Sequence, residues 1–408
     1  MTETKAHILI ISQCFYPEEF RVNDLAAEWV KEGHKVTAVT SIPNYPGGDF
    51  FPGYGLFRRR KELWKGVTIH HLPVIPRKHG SVMLALNYLS FVISGAFFAF
   101  FTRTKADRVF IFETSPMTQA LAGVWYARRR KIPCDLYIQD LWPDNVEIVA
   151  GIHNRFVLRA LHRMCNYIYK NCTRILVTSP AFERVMKKRT DTPVIYWPQY
   201  AEAFYVPVPC KESHEELRII FTGNVGVAQG LEILPEAAAL LKQSAQDAAC
   251  AEERKIVFHI VGDGRSMEAF REEIRRTNTE EMFVLHGRKP AAKIPQMLAD
   301  ADVAFLSFMD TPLFKRTIPA KLQSYLACGI PVLASAGGET KRILKEADCG
   351  WVCPLGDAAA LAATIREISE SPRKALQLKG ENALAYSRAH FDKKTLLAQF
   401  WGEDACNK

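Results

Sequence analysis

Twice along this chain a series of short apolar runs alternates with helical stretches, and a proline-rich interval at 197–211 separates the two series. In the first series, 7–12, 33–40, 108–112, 134–139 and 174–178 read as strands, and 23–32 reads as a helix with Asn23 or Asp24 as its cap. In the second, strands at 217–221, 256–261, 284–286, 303–306 and 331–334 alternate with helices at 231–243, 267–276, 294–299 and 320–327. This rhythm implies an α/β chain with two doubly wound Rossmann-like halves, each a parallel sheet with helices on both faces. A length of 408 residues suits two such domains. Ligands of these sheets lie beyond the carboxyl ends of the strands, so the two halves are expected to face a common cleft.

Composition removes several alternatives. With 48% hydrophobic and 24% charged residues, extended disorder is excluded over most of the length. The ten cysteines form no CxxC pair and no Cys/His zinc spacing. Cys14, Cys134, Cys165 and Cys328 sit in apolar settings, as reduced core thiols do, and a cytoplasmic location is expected. The N-terminus runs from polar residues straight into a buried strand, so no signal peptide is expected. His162, His259 and the other histidines show no metal spacing and read as structural.

The net charge is +9, with basic clusters at 58–61, 128–131 and 187–189. Nucleic acid is set aside because no nucleic-acid module or stacking platform is present. A solvated basic surface and attraction to an anionic membrane remain open. Residues 82–101, VMLALNYLSFVISGAFFAFF, carry no charge and are long enough to span a bilayer. Asn87, Ser90 and Ser94 interrupt the run, and both flanks read as parts of one domain, which argues against spanning. A wholly buried helix and a helix dipping into the membrane interface remain, the latter favoured by Arg77, Lys78, Arg103 and Lys105 at its ends.

The loops after the strands carry the chemistry. GNVG at 223–226, followed by Gly230, and VGDG at 261–264 each lie between a strand and a helix. Gly223, Gly226 and Gly262 would let backbone approach a phosphate at a helix N-terminus. No GxGxxG occupies the first strand-to-helix turn of either half, which argues against a dehydrogenase. Lys321 falls in the first turn of the 320–327 helix, where a cation is unfavourable unless an anion joins it. A diphosphate would make both terms favourable. The alternative is an exposed lysine. In the first half, Asp140 and Glu113 follow predicted strands, where they would orient an acceptor or donor hydroxyl or cap a turn. Glu18 and Arg21 lie in the loop after the first strand, placed for an acceptor or phosphate.

At these residues the chain resembles glycosyltransferase family 4, which has the GT-B fold. The matching stretches are SQCFYPEEFRVNDLA, GHKVTAVTSIPNYPGG, QDLWPD, FTGNVGVAQGLE, VGDG, HGRKP, IPAKLQSYLACGIPVLAS and GGETKRILKEADCGWV, in the family's order. Within the family it is most similar to the transferases of bacterial surface polysaccharides that handle N-acetyl-L-fucosamine and colanic-acid fucose. The resemblance implies retaining transfer from a nucleotide diphospho-sugar, expected to be UDP-linked, held by the second domain (212–385). The first domain (1–197) would bind the acceptor, a polyprenyl-diphosphate-linked saccharide. The segment 386–408 would return to the first domain as a helix. No metal or cofactor is implied, and the enzyme would sit peripherally on the cytoplasmic membrane face. The base would be read near Gly287, Arg288 and Lys289.

Two departures bear on the site. Many relatives hold the diphosphate with an Arg and a Lys in the glycine loop, where this chain has Asn224 and Gln229. Many carry two Glu residues at the positions of Arg316 and Ser324. Lys321, helped by Arg316, is the expected substitute for the missing cations, with Ser324 one turn along on the same face, and Glu339 is the expected replacement carboxylate. A sugar-nucleotide epimerase of the same fold and a non-catalytic scaffold are the competing readings. The apolar helix and basic clusters speak against the first, the phosphate cradle against the second.

Overall fold

In the computed structural model, residues 5–78, 80–149, 151–210, 215–247 and 254–402 are described. The expected boundaries at 211–214 and the end of the expected C-terminal helix at 403–408 lie outside them. The chain forms two compact units, Met1–Trp197 and Pro198–Lys408.

In the first unit the elements are β1 (His7–Ile11), α1 (Arg21–Lys31), β2 (Lys35–Ser41), β3 (Lys61–Trp64), β4 (Val67–Leu72), α2 (Ser81–Phe101), β5 (Arg108–Glu113) and α3 (Ala120–Arg130). They continue with β6 (Cys134–Ile138), α4 (Asp144–Val149), α5 (Arg155–Lys170), β7 (Arg174–Val177), α6 (Pro180–Met186) and β8 (Val194–Tyr196). The sheet order is β3-β4-β2-β1-β5-β6-β7-β8. All pairings are parallel except β3 with β4. Every residue of β1 is buried, because helices cover both faces of a parallel sheet. Asp135 on β6 is fully buried and pairs with Arg108 of β5 at 2.7 Å and Arg174 of β7 at 2.9 Å, tying three strands together.

The second unit contains β9 (Leu217–Thr222), α7 (Ile233–Asp247), β10 (Ile256–Val261), α8 (Met267–Arg276), β11 (Phe283–Gly287), α9 (Ile294–Ala299), β12 (Val303–Ser307) and α10 (Pro312–Arg316). It ends with α11 (Ala320–Cys328), β13 (Val332–Ser335), α12 (Gly338–Glu346), β14 (Gly350–Cys353), α13 (Ala358–Glu370), α14 (Arg373–His390) and α15 (Lys393–Gly402). Its sheet, β11-β10-β9-β12-β13-β14, is parallel throughout. The chain reverses direction across the sheet between β9 and β12, the position at which doubly wound folds bind ligands.

Three sequence expectations change. α1 opens at Arg21, with Phe20 at the cap position. Asn23 therefore lies inside the first turn and donates its amide to the Glu18 carbonyl at 2.7 Å instead of capping. The interval after the first sheet is no free linker. Trp197 is buried against Tyr137 at 4.8 Å between ring centroids, and Gln296 donates to the Pro209 carbonyl at 3.2 Å.

The largest change concerns α2, which is not a wholly buried helix. Asn87, Phe91, Ser94, Gly95 and Ala99 form its buried stripe, so the polar interruptions face the protein. Asn87 accepts from Gln13 at 2.8 Å and donates to the Ile75 carbonyl at 2.6 Å. A Cβ at Gly95 would lie 2.8 Å from that of Ala122 on α3, and this close approach requires glycine. The opposite stripe, Val82, Leu86, Leu89, Ile93, Phe97 and Phe100, is exposed, with Phe97 63% accessible.

Candidate functional site

In the second unit the site grows from the end of β9. Thr222 donates its backbone N–H to the buried Tyr325 hydroxyl at 3.0 Å, which fixes α11 against the strand end. Tyr325 was not among the sequence candidates. Its only sequence signal was an aromatic inside an apolar helix. Gly223 follows at φ +121°, and a Cβ there would come within 2.9 Å of the Lys321 side chain, so glycine is needed where the lysine crosses the loop.

Lys321 is no free surface lysine. Its ammonium lies 3.8 Å from the centroid of the buried Phe221 ring. Burial pulls its pKa down to about 7. Among the described residues it makes no hydrogen bond and no ion pair. The ammonium thus sits beside the positive end of α11 with no counter-charge. An anion placed there would gain from both, and would restore the full charge on the lysine.

The neighbouring residues divide by role. Gln229 accepts from the Gly226 N–H at 3.1 Å, and its carbonyl accepts from Ser307 at the end of β12 at 2.6 Å. It closes its own loop across the sheet's switch point. Asn224 is exposed, with its amide nitrogen beside Gly226. Gly262 and Gly264 serve loop packing: a Cβ at either would collide with the backbone of Gly223 or Val225. Ser324, one turn along α11 from Lys321, donates to the Ala320 carbonyl at 3.2 Å. Arg316 closes α10, four residues before α11 begins. Glu339 is buried in the first turn of α12 and pairs with Arg342 at 2.9 Å. Arg288 is exposed just after β11.

In the first unit the structure brings Glu113 and Asp140 together. Glu113 ends β5 and Asp140 follows the adjacent β6. The Glu113 carboxyl is fully buried, and neither of its oxygens has a hydrogen-bond partner among the described residues. Burial, then the charge of Asp140, pushes its pKa well above the carboxylate range. Burial also raises Asp140, opposed by Ser115. Ser115 donates both its N–H (2.9 Å) and its hydroxyl (2.7 Å) to Asp140 Oδ2. The same hydroxyl accepts from Trp142 Nε1 at 3.0 Å and Asn145 Nδ2 at 2.7 Å. Asp140 therefore cross-links two loops through one oxygen and keeps Oδ1 without a hydrogen bond among the described residues. Ser115 was missed as a hub because its partners lie 25 to 30 residues away.

Glu18 is buried, and its Oε1 accepts the N–H groups of Asn44 and Tyr45, each at 2.7 Å. Burial raises its pKa to about 7. It organises the loop after β2. Arg21 opens α1 and is half-buried. Gln13, at the end of β1, donates its N–H to Gln119 at 2.6 Å, closing the switch point of this sheet.

Comparison with known proteins matches both units. Residues 19–189 fit the glycosyl transferase 4-like domain, and 210–384 fit glycosyl transferases group 1. A probable glycosyltransferase of Pseudomonas aeruginosa, WbjE, is 29% identical over 58% of this chain and 59% of its own length. The chain thus spans less than two thirds of that relative. The putative colanic acid biosynthesis glycosyl transferase WcaI of Escherichia coli is 24% identical over 96% of this chain and 98% of its own. Among solved structures, Anabaena HepE in complex with UDP and glucose superposes with a TM-score of 0.68 over 98% of this chain and 99% of that one, at 15% identity.

Proposed function

We propose that this chain, which belongs to the family 4 glycosyltransferases of GT-B fold, moves a hexosyl group from a UDP-linked sugar to a lipid-linked saccharide during bacterial surface-polysaccharide assembly, with retention at the anomeric carbon. The observation that carries the reading is the uncompensated Lys321 ammonium on Phe221, at the N-terminus of α11 and against Gly223. A nucleoside diphosphate supplies the missing counter-charge, with Arg316 as a second cation. Asp140, through Oδ1, holds the acceptor hydroxyl, and Glu113 is the neutral carboxyl beside it. Glu339 and Arg288 are the proposed contacts to sugar or ribose and to the base, and Arg21 with the Glu18 loop borders the acceptor. The nucleotide-sugar is a substrate, and the reading invokes no cofactor.

The acceptor class is supported by α2. Its exposed stripe ends in Phe97, Phe100 and Phe101, and Phe100 stacks on Trp125. Arg129 and Arg130 of α3 donate to the Thr102 carbonyl at 3.0 and 3.1 Å, which gathers a basic cluster at the same end. Apolar residues rimmed by Arg and Lys suit the interface of an anionic bilayer. On this reading the enzyme works as a peripheral protein at the cytoplasmic leaflet.

A thermal-shift panel of UDP, GDP, ADP, TDP, CMP and NAD tests the donor. A ligand that binds only the native state raises the Tm by mass action. A shift with UDP alone is expected. A shift with GDP alone would replace the base, and no shift with any nucleoside diphosphate would overturn the transferase reading.

A further inference from the structure

A groove of about 880 Å³ lies beside α2 in the first unit. That is within the size range of small-ligand sites, about 300–1,000 Å³. Part of its lining comes from α2, at Ser90, Ile93, Ser94, Phe97 and Phe98. Leu72–Pro76, the segment leaving β4, lines it too, together with Phe50 and Leu56. Ile93 and Phe97 belong both to this groove and to the exposed stripe of α2, so the apolar lining runs on into the outward face.

Part of the groove lining is basic, at Arg60 and Lys61. Arg60 donates Nε to the His71 carbonyl at 2.6 Å and Nη1 to the Leu56 carbonyl at 2.9 Å, and forms no ion pair among the described residues. Lys61 is exposed and likewise forms none. The nearby carboxylate, Glu62, is engaged by His71 at 2.7 Å and Tyr54 at 3.0 Å. β4 runs parallel to β2, and through it to β1, β5 and β6, so the groove opens at the sheet end that carries Glu113 and Asp140. The Ile75 carbonyl in its wall is held by Asn87, which is bonded in turn to Gln13 at the end of β1.

We infer that this groove holds the isoprenoid chain of the lipid-linked acceptor, with Arg60 and Lys61 at its diphosphate. The inference rests on the lipid-linked acceptor proposed above. A long branched hydrocarbon matches the apolar lining and its continuity with the membrane-facing stripe. A diphosphate at the chain's head matches cations that lack an anion.

The test uses the full chain with geranylgeranyl diphosphate as the probe, geranyl diphosphate as the shorter chain and inorganic pyrophosphate as the bare head group. Ile75→Asp and Leu56→Asp place a charge in the groove at residues already 40% and 47% exposed, so folding should be retained. Affinity should rise with chain length and fall about tenfold or more in either variant, because a charge is costly in an apolar site. UDP should still shift the Tm of both variants, and binding to phosphatidylglycerol vesicles should persist through Phe100 and Phe101. Equal affinity for the three probes, unchanged affinity in the variants, or equal displacement by phosphatidylglycerol would overturn the groove assignment. So would a wild-type dimer that dissociates in Ile75→Asp by light scattering. If wild type binds no nucleoside diphosphate, the transferase reading fails, whatever the isoprenoid result.

Discussion

The strand ends of the two units are built alike and charged oppositely. In the first unit, loops after β5 and β6 enclose two carboxyl groups whose pKa values burial drives up. In the second, the loop after β9 encloses a lysine that burial drives down to about 7. Both sites pay a desolvation cost, which the first offsets with the two bonds from Ser115 to Asp140 and the second with a ring face alone. The second leaves its cation for something from outside. A built-in carboxylate suits a neutral hydroxyl that must be oriented and relieved of a proton. A half-buried cation with no anion beside it suits a ligand that arrives with its own negative charge.

The most severe way to break this comparison is at Asp140. Asp140→Asn keeps size and an acceptor for Ser115 but removes the charge at Oδ1. Turnover should fall by about a hundredfold or more, the scale of a positioned acid or base. The Tm and the UDP shift should hold. Wild-type turnover would leave Asp140 as a loop cross-link only.

Next in size is Lys321→Ala. Losing a charged hydrogen bond to the diphosphate should cost about 1.5–3 kcal/mol in donor kcat/KM. Because the native ammonium has a ring face but no carboxylate for a partner, the variant strands no buried charge, and the Tm without ligand should stay level or rise. A fall in unliganded stability with unchanged donor kinetics would move Lys321 from the site to the core.

How much of this was legible in the sequence follows from range. The two α/β series, the glycine loop and Lys321 were readable because strand periodicity and a first-turn lysine are local signals. The β3–β4 hairpin was not read. Its turn is Lys65-Gly66, both at positive φ, and a lysine there lacks the Asn or Asp signature of such turns. The packing contact of Gly262 and the backbone bond of Ser324 were not read for a related reason. Glycine between strand and helix looks the same whether a phosphate or a second loop approaches it, and a serine in a helix does not announce a bond to its own backbone. The Ser115–Asp140 and Gln13–Asn87 links join residues 25 and 74 apart in the chain, distances no local pattern spans.

The pH dependence sharpens the contrast without any mutation. Lys321 is charged below about pH 7 in the free protein, and a bound diphosphate raises its pKa. Affinity for a UDP-sugar, whose diphosphate diester does not titrate in this range, should therefore be level below pH 7. Above it, affinity should fall by up to about tenfold per pH unit until the pKa of the complex is reached. Calorimetry in buffers of different ionisation enthalpy should show a proton taken up on binding at pH 8 and none at pH 6. Affinity that stays flat from pH 6 to 9 would mean that the lysine is already fully charged or does not meet the phosphate.

The smallest effect separates the two roles of Asp140. Ser115→Ala deletes the hydroxyl bond to Oδ2 but keeps the backbone N–H bond, and it leaves Trp142 and Asn145 without their shared acceptor. A lost side-chain hydrogen bond of this kind costs about 1 kcal/mol of stability. With one donor gone, burial holds the Asp140 carboxyl higher still. If Asp140 works as a base, the acid limb of the turnover profile should move to higher pH, with turnover at the optimum reduced only about fivefold. An unmoved limb, with the stability loss alone, would assign Ser115 to loop packing and uncouple it from the acceptor site.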